Sequence, residues 1–161
     1  MAASQVAKTR SDVEATFSVE DLRVFRTAAG NAYAIVGHSP ANRLIADTWL
    51  GAFDTEAEFR RVLEFICDRF EAGGYSYWLA DLRFLNSGFF HSDAWLAEYV
   101  FPRTIAAGLL REAVVIPTYQ GAPAEYDVFG SAFSALRMIM DGKVRGFTDL
   151  EEAREWLFEG T

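Results

Sequence analysis

Residues 77–82 (YWLADL), 92–108 (SDAWLAEYVFPRTIAAG) and 113–116 (AVVI) follow one another through the middle of the chain. The first and last are short, mostly apolar runs and read as strands, the last as a buried central one. Between them Ser92 or Asp93 is placed to cap a helix whose apolar stripe is Trp95, Leu96, Tyr99 and Val100. Pro102 falls inside that stripe. Proline has no N–H to donate and collides with the carbonyl four residues back, so a kink or break is expected near Tyr99. The helix closes near Gly108. A strand, a helical crossover and a second strand make parallel neighbours joined by a right-handed connection.

Reading outward extends the pattern in both directions. Upstream, 22–26, 32–37 and 43–49 are strand-like. Gly30-Asn31 separates the first two, and Ser39-Pro40-Ala41-Asn42 the second and third, as hairpin turns do. Thr55 and Glu58 have capping-box spacing, with Asp54 as an alternative cap. Phe59, Val62, Leu63, Ile66 and Phe70 then mark one face of a helix that Gly73-Gly74 ends. Downstream, 117–126 (PTYQGAPAEY) is a turn-rich loop. Asp127 caps a third helix running to Asp141-Gly142, and 144–147 is a last strand. Asp149 and Glu152 form another capping box before a helix patterned by Leu150, Ala153, Trp156 and Leu157. The order β-β-β-α-β-α-β-α-β-α predicts an α/β fold. Its mixed sheet has antiparallel strands first and parallel strands later, flanked by about four helices. Residues 1–16, small and polar without apolar period, read as a flexible leader, and 17–161 as one domain.

The bulk properties narrow the class. The hydrophobic fraction is 51%, with 14 Phe, 6 Tyr and 4 Trp, enough to fill a core. The net charge of −8 disfavours nucleic acid and anionic membrane surfaces as partners. No apolar run approaches the roughly 20 residues of a membrane-spanning helix. With one cysteine, Cys67, an intramolecular disulfide is excluded. A soluble cytoplasmic protein is the default expectation.

Four segments carry a family resemblance. WLADLRFL (78–85), SDAWLAEYVFPRTIAAGL (92–109) and AVVIP (113–117) resemble the SpoIIAA-like group of STAS domains. FTDLEEAREWL (147–157) is similar to the end of that group's chains. The likeness covers roughly 22–158 and implies a four- or five-stranded mixed sheet flanked by helices. Characterised STAS domains act as anti-sigma-factor antagonists and carry a phosphorylatable serine in an Asp-Ser-Ser-Gly pattern. The nearest match here is Asn86-Ser87-Gly88, which makes Ser87 the phosphosite the resemblance implies. It departs from the pattern by an Asn for the acid and by one missing serine.

Other chemistry is sparse. No phosphate-binding glycine loop, zinc-protease motif or serine-hydrolase elbow is present. His38 and His91 are the two imidazoles, and with Asp81 or Asp93 they could form a proton-moving cluster if their loops met. Cys67 sits beside an apolar helix face and reads as a structural thiol. Asp81 lies near the carboxyl end of its strand, where ligands of open α/β sheets bind; capping local backbone or pairing with an arginine is the alternative. Residues 75–101 hold nine aromatics, among them Phe89, Phe90 and Trp95. Exposed, these mark a partner surface or, with Tyr119 of the following loop, a pocket rim. The expected function is a non-enzymatic regulatory or protein-interaction module without catalytic residue, metal or cofactor, acting on a protein partner or as a homodimer. The alternative is a carrier of a small apolar ligand in an aromatic-lined pocket.

Overall fold

The computed structural model describes residues 12–85, 92–116 and 142–160. Six strands form one sheet in sequential order: β1 (Glu20–Arg26), β2 (Ala32–Ser39), β3 (Leu44–Gly51), β4 (Tyr77–Leu85), β5 (Arg111–Val115) and β6 (Val144–Phe147). The β1–β2 and β2–β3 pairs are antiparallel; β3–β4, β4–β5 and β5–β6 are parallel. Hairpin-length links join the first three strands and crossovers join the rest, which is why the sheet changes sense at β3. The helices are α1 (12–17), α2 (Glu56–Ala72), α3 (93–106) and α4 (Leu150–Leu157). The α/β class, the mixed sheet and its antiparallel-then-parallel order are as expected. The six strands match the element pattern and exceed the four or five that the resemblance implies. The expected helix after Asp127 lies outside the described residues.

One expectation needs correction and a second takes a more definite form. Residues 12–16 belong to a helix rather than to a loose leader, because Val13 and Phe17 are buried against the sheet. A two-residue apolar anchor is too short to register as a period. Residues 1–11 lie outside the described part. The second concerns α3, where the kink or break expected near Tyr99 takes the form of a wide turn at that place within a continuous helix. Residues Leu96–Val100 form a wide π-turn in which the Phe101 N–H reaches the Leu96 carbonyl, and the helix continues through Phe101–Ala106. The wide turn immediately precedes the proline, so it gives room to a ring that an ordinary α-turn would press against the Glu98 carbonyl.

The sheet has two apolar faces. One carries Val36, Ile45, Trp49, Trp78, Ala80 and Val114, and is covered by α2 and α3. The other carries Leu44, Ala46, Leu79, Ala113 and Val115, and is covered by α4 and by Val13 and Phe17. Strand periodicity sorts alternate residues to opposite faces. The start of α2 is closed by both halves of the capping box: Thr55 Oγ1 accepts from the Glu58 N–H, and the Glu58 carboxylate accepts from the Thr55 N–H at 3.1 Å. The apolar face expected for α2 is buried throughout, and Gly73 and Gly74 end the helix at φ 98° and 100°, where a side chain is strained. The outer strand β1 pairs with β2 through two register shifts in seven residues, and such bulges twist a free edge away from further pairing. Replacing Thr55 by Ala removes one half of the capping box, and urea denaturation should show a loss of about 1 kcal/mol.

Candidate functional site

The chemistry-bearing side chains of the described residues fall into four groups, and the most buried is centred on Asp47. On β3, Ile45, Asp47 and Trp49 share the face beneath α2 and α3, so alternation drives a carboxylate into the core. Its two oxygens are taken by indoles. Trp78 Nε1 donates to Oδ1 at 2.6 Å, and Trp49 Nε1 donates to Oδ2 at 2.5 Å. Burial pushes the Asp47 carboxyl up to about 6, partly opposed by the two indole hydrogen bonds and reinforced by the negative charge of Asp81.

Glu112 lies on the same face, in register with Trp78. It is 3% exposed, and its Oε1 has no hydrogen-bond partner. Burial, then the charge of Asp47, raises its carboxyl well above the ordinary glutamate range.

The second group crosses from sheet to helix. The Tyr75 hydroxyl lies 2.6 Å from His38 Nδ1 and accepts from Arg69 Nη2 at 3.0 Å. His38 Nε2 lies 3.2 Å from Glu20 Oε1. A neutral imidazole protonated on Nε2 satisfies both of its contacts, donating to Glu20 and accepting from the phenol. This acid–imidazole–phenol chain has the connectivity of a catalytic triad. Its phenol is buried, however, and its carboxylate is 74% exposed, so the two ends of the chain do not share one environment.

The third group is Asp81 with Arg83. Arg83 Nε and Nη2 donate to Oδ1 and Oδ2 at 2.9 and 3.0 Å, and the Arg83 N–H donates to Oδ1 at 3.2 Å. Both Asp81 oxygens are therefore spent on local ties, as the alternative reading of this strand end anticipated. Asp81 is in register with Thr48 on the α4 face, whereas His38 is in register with Ile45 on the α2 and α3 face. The two side chains therefore do not meet.

The fourth group binds α3 to α2. Arg103 makes a two-pronged contact with Glu71 at 2.8 and 2.6 Å and donates to Glu64 at 2.7 Å and to Asp68 at 3.2 Å. An open hollow of about 440 Å³ beside it is lined by Glu71, Pro102, Arg103, Ala106 and Ala107.

Trp95 is half-buried, packed against the core with its ring centre 6.4 Å from that of Phe59 on α2. It stacks on Tyr99 at 5.4 Å and 24°, and the Arg60 guanidinium lies 4.9 Å from its ring centre. Cys67 is buried, with Sγ 3.9 Å from the Val100 carbonyl, and burial pushes its thiol up to about 12, as befits a structural cysteine. Ser87, Phe89, Phe90, His91 and Tyr119 lie outside the described residues, as does the Asp93 side chain. Among the described residues no group of three or more His, Cys, Asp or Glu side chains is placed to hold a metal ion.

Asp47, Glu112 and the Tyr75–His38 contact carry no motif. The signal that was present is parity. In 43–49 the charged Asp47 falls in phase with Ile45 and Trp49, and Glu112 directly precedes an apolar strand in phase with Val114.

Comparison with protein-family models, with curated proteins and with solved structures returns no match.

Asp47 gives a signed pH dependence. Its folded value exceeds its ordinary value of 3.8, so its contribution favours folding below about pH 4 and is lost as pH rises through about 6. The shift corresponds to about 3 kcal/mol at neutral pH. In Asp47→Asn the stability relative to wild type should improve by about that amount between about pH 4 and pH 7, as measured by urea denaturation.

Proposed function

We propose that the chain is a non-enzymatic regulatory or interaction module of STAS-like type that docks a protein partner through the α2–α3 side. The observation that carries this reading is the Trp95–Tyr99 pair. Tyr99 is 38% exposed, Trp95 stacks on it, and Arg60 and Arg103 flank the two rings, each 4.9 Å from one ring centre. Tryptophan, tyrosine and arginine are the residues over-represented where binding energy concentrates. The rigid helical backbone beneath them lowers the ordering cost of association. The acidic groups nearby, Glu56, Glu64 and Glu98, together with a net charge of −8, favour a partner with a basic surface.

Two further observations support a non-catalytic role. The carboxylates of Asp47 and Asp81 are committed to internal partners, and the His38 chain joins a buried phenol to a carboxylate that is 74% exposed. In the aromatic run, Tyr75, Trp78 and Phe101 pack on one another or on Phe70 rather than line a described cavity. No helix among the described residues is long and apolar enough to cross a membrane.

Native mass spectrometry of the protein purified from its host identifies the occupant. A protein adduct or a doubled mass supports docking, and a bound apolar small molecule supports the carrier reading instead. With the purified partner, or with dimer dissociation as the readout, Trp95→Ala should cost about 2 kcal/mol, roughly thirtyfold in Kd. An unchanged Kd in a folded variant removes Trp95 from the interface.

A further inference from the structure

Asp47 and Glu112 are two carboxylates enclosed on one face of the sheet. Asp47 is 2% and Glu112 3% exposed. Asp47 has both oxygens satisfied, whereas Glu112 has an oxygen with no partner. Trp78 connects them: its indole donates to Asp47, and its strand position is in register with Glu112. The same ring touches Phe70 of α2 at 6.1 Å and Phe101 of α3 at 5.7 Å. Trp78 is thus the contact through which the acid pair meets the helical layer.

We propose that the Asp47–Glu112 pair is a proton-held latch: a proton on Glu112 keeps α3 seated on the sheet, and its loss admits water beneath the helix. Buried groups of like charge cannot both ionise without a counter-charge or hydration. Among the described residues no cation answers them. The charge acting on Glu112 is that of Asp47, and the charge acting on Asp47 is that of Asp81. The buried side of α2 offers Glu58, the Cys67 thiol and the buried Nε of Arg69, whose Nη2 is given to the Tyr75 hydroxyl, and that of α3 offers the neutral Leu96, Val100, Phe101 and Thr104. Glu58 is tied to the start of α2 through the backbone N–H groups of Asp54 and Thr55. Arg103, the nearest strong cation on α3, is held on the outer side by Glu64, Asp68 and Glu71.

The sign follows from the burial of the acid. The protonated form belongs to the closed state, so the seat is firm below the ordinary glutamate range and loosens as pH rises through the folded value. The π-turn Leu96–Val100 gives α3 a segment with non-standard hydrogen bonding at which such loosening can begin.

Hydrogen exchange tests the latch. With intrinsic rates removed, the opening constant of amides in 93–106 should rise about tenfold per pH unit above the ordinary glutamate range, until Glu112 ionises in the closed state. Glu112→Gln, which keeps the shape and removes the charge, should flatten that rise while α2 and α4 exchange as before. A wild type without the rise, or a variant that retains it, overturns the proposal. Infrared spectra of the wild type give a second measurement that needs no variant. A carboxylic-acid C=O band should persist above the pH range in which exposed carboxylates ionise. Its absence overturns the latch equally.

Discussion

Asp47 occupies the middle of the sheet with one oxygen on the indole of Trp49, two residues along its own strand, and the other on the indole of Trp78, thirty-one residues later. A carboxylate placed in a core costs several kcal/mol unless its lone pairs are occupied. The requirement to occupy them orients both tryptophans. Once Trp78 is turned to donate, its ring presents one side to Phe70 and another to Phe101, so α2 and α3 take their seats from it. Trp49 is likewise placed among Tyr33, Phe53 and Phe59 at ring-centre distances of 5.4 to 6.3 Å. One polar contact therefore sets the orientation of much of the aromatic layer beneath the helices.

What could be read in the chain follows from the range of the forces involved. Strand alternation, capping boxes and glycine stops act over a few residues: Thr55 with Glu58 closes both halves of its box, Asp149 takes the Glu152 N–H as one half of the second, and Gly73-Gly74 ends α2. The sequential strand order is likewise a product of short links and crossovers. The site is different because its partners are remote. Tyr75 meets His38 across thirty-seven positions, and Trp78 meets Asp47 across thirty-one. Neither pair leaves a local signature, so the sequence pattern does not show that His38 meets a phenol and Glu20. The α1 anchor escaped for a related reason: two buried side chains, Val13 and Phe17, make a contact but not a period.

The distribution of polar groups separates interior from surface. Inside, Asp47 and Asp81 each satisfy nearby donors and leave little free valence for a ligand. On the outside of α3, Arg103 draws Glu64, Asp68 and Glu71 together and supports the ring of Tyr99. Exposed ion pairs of this kind contribute little stability singly, but a guanidinium shared among three carboxylates restricts the rotamers of everything it touches. The aromatic pair above it is thereby held in one geometry. Tyr99 is thus ordered while 38% exposed, with Trp95 half-buried beside it.

The buried acids also explain why the sheet adopts one register. A one-residue slip of β3 against β4 would exchange its faces, moving Asp47 beneath α4 and bringing Thr48 beneath α2 and α3. Apolar residues tolerate that exchange poorly but not absolutely, since both faces of β3 are lined by apolar side chains: Ile45 and Trp49 on one, Leu44 and Ala46 on the other. The carboxylate tolerates it far less. In the slipped register Asp47 would lose the Trp78 indole, leaving a buried acceptor and a buried donor unpaired at about 1–3 kcal/mol each. Asp47 and Glu112 lower the stability of the closed core compared with hydrocarbon in their place. The return is discrimination: strands apolar on both faces acquire a single pairing, and that pairing puts Trp78 under α3.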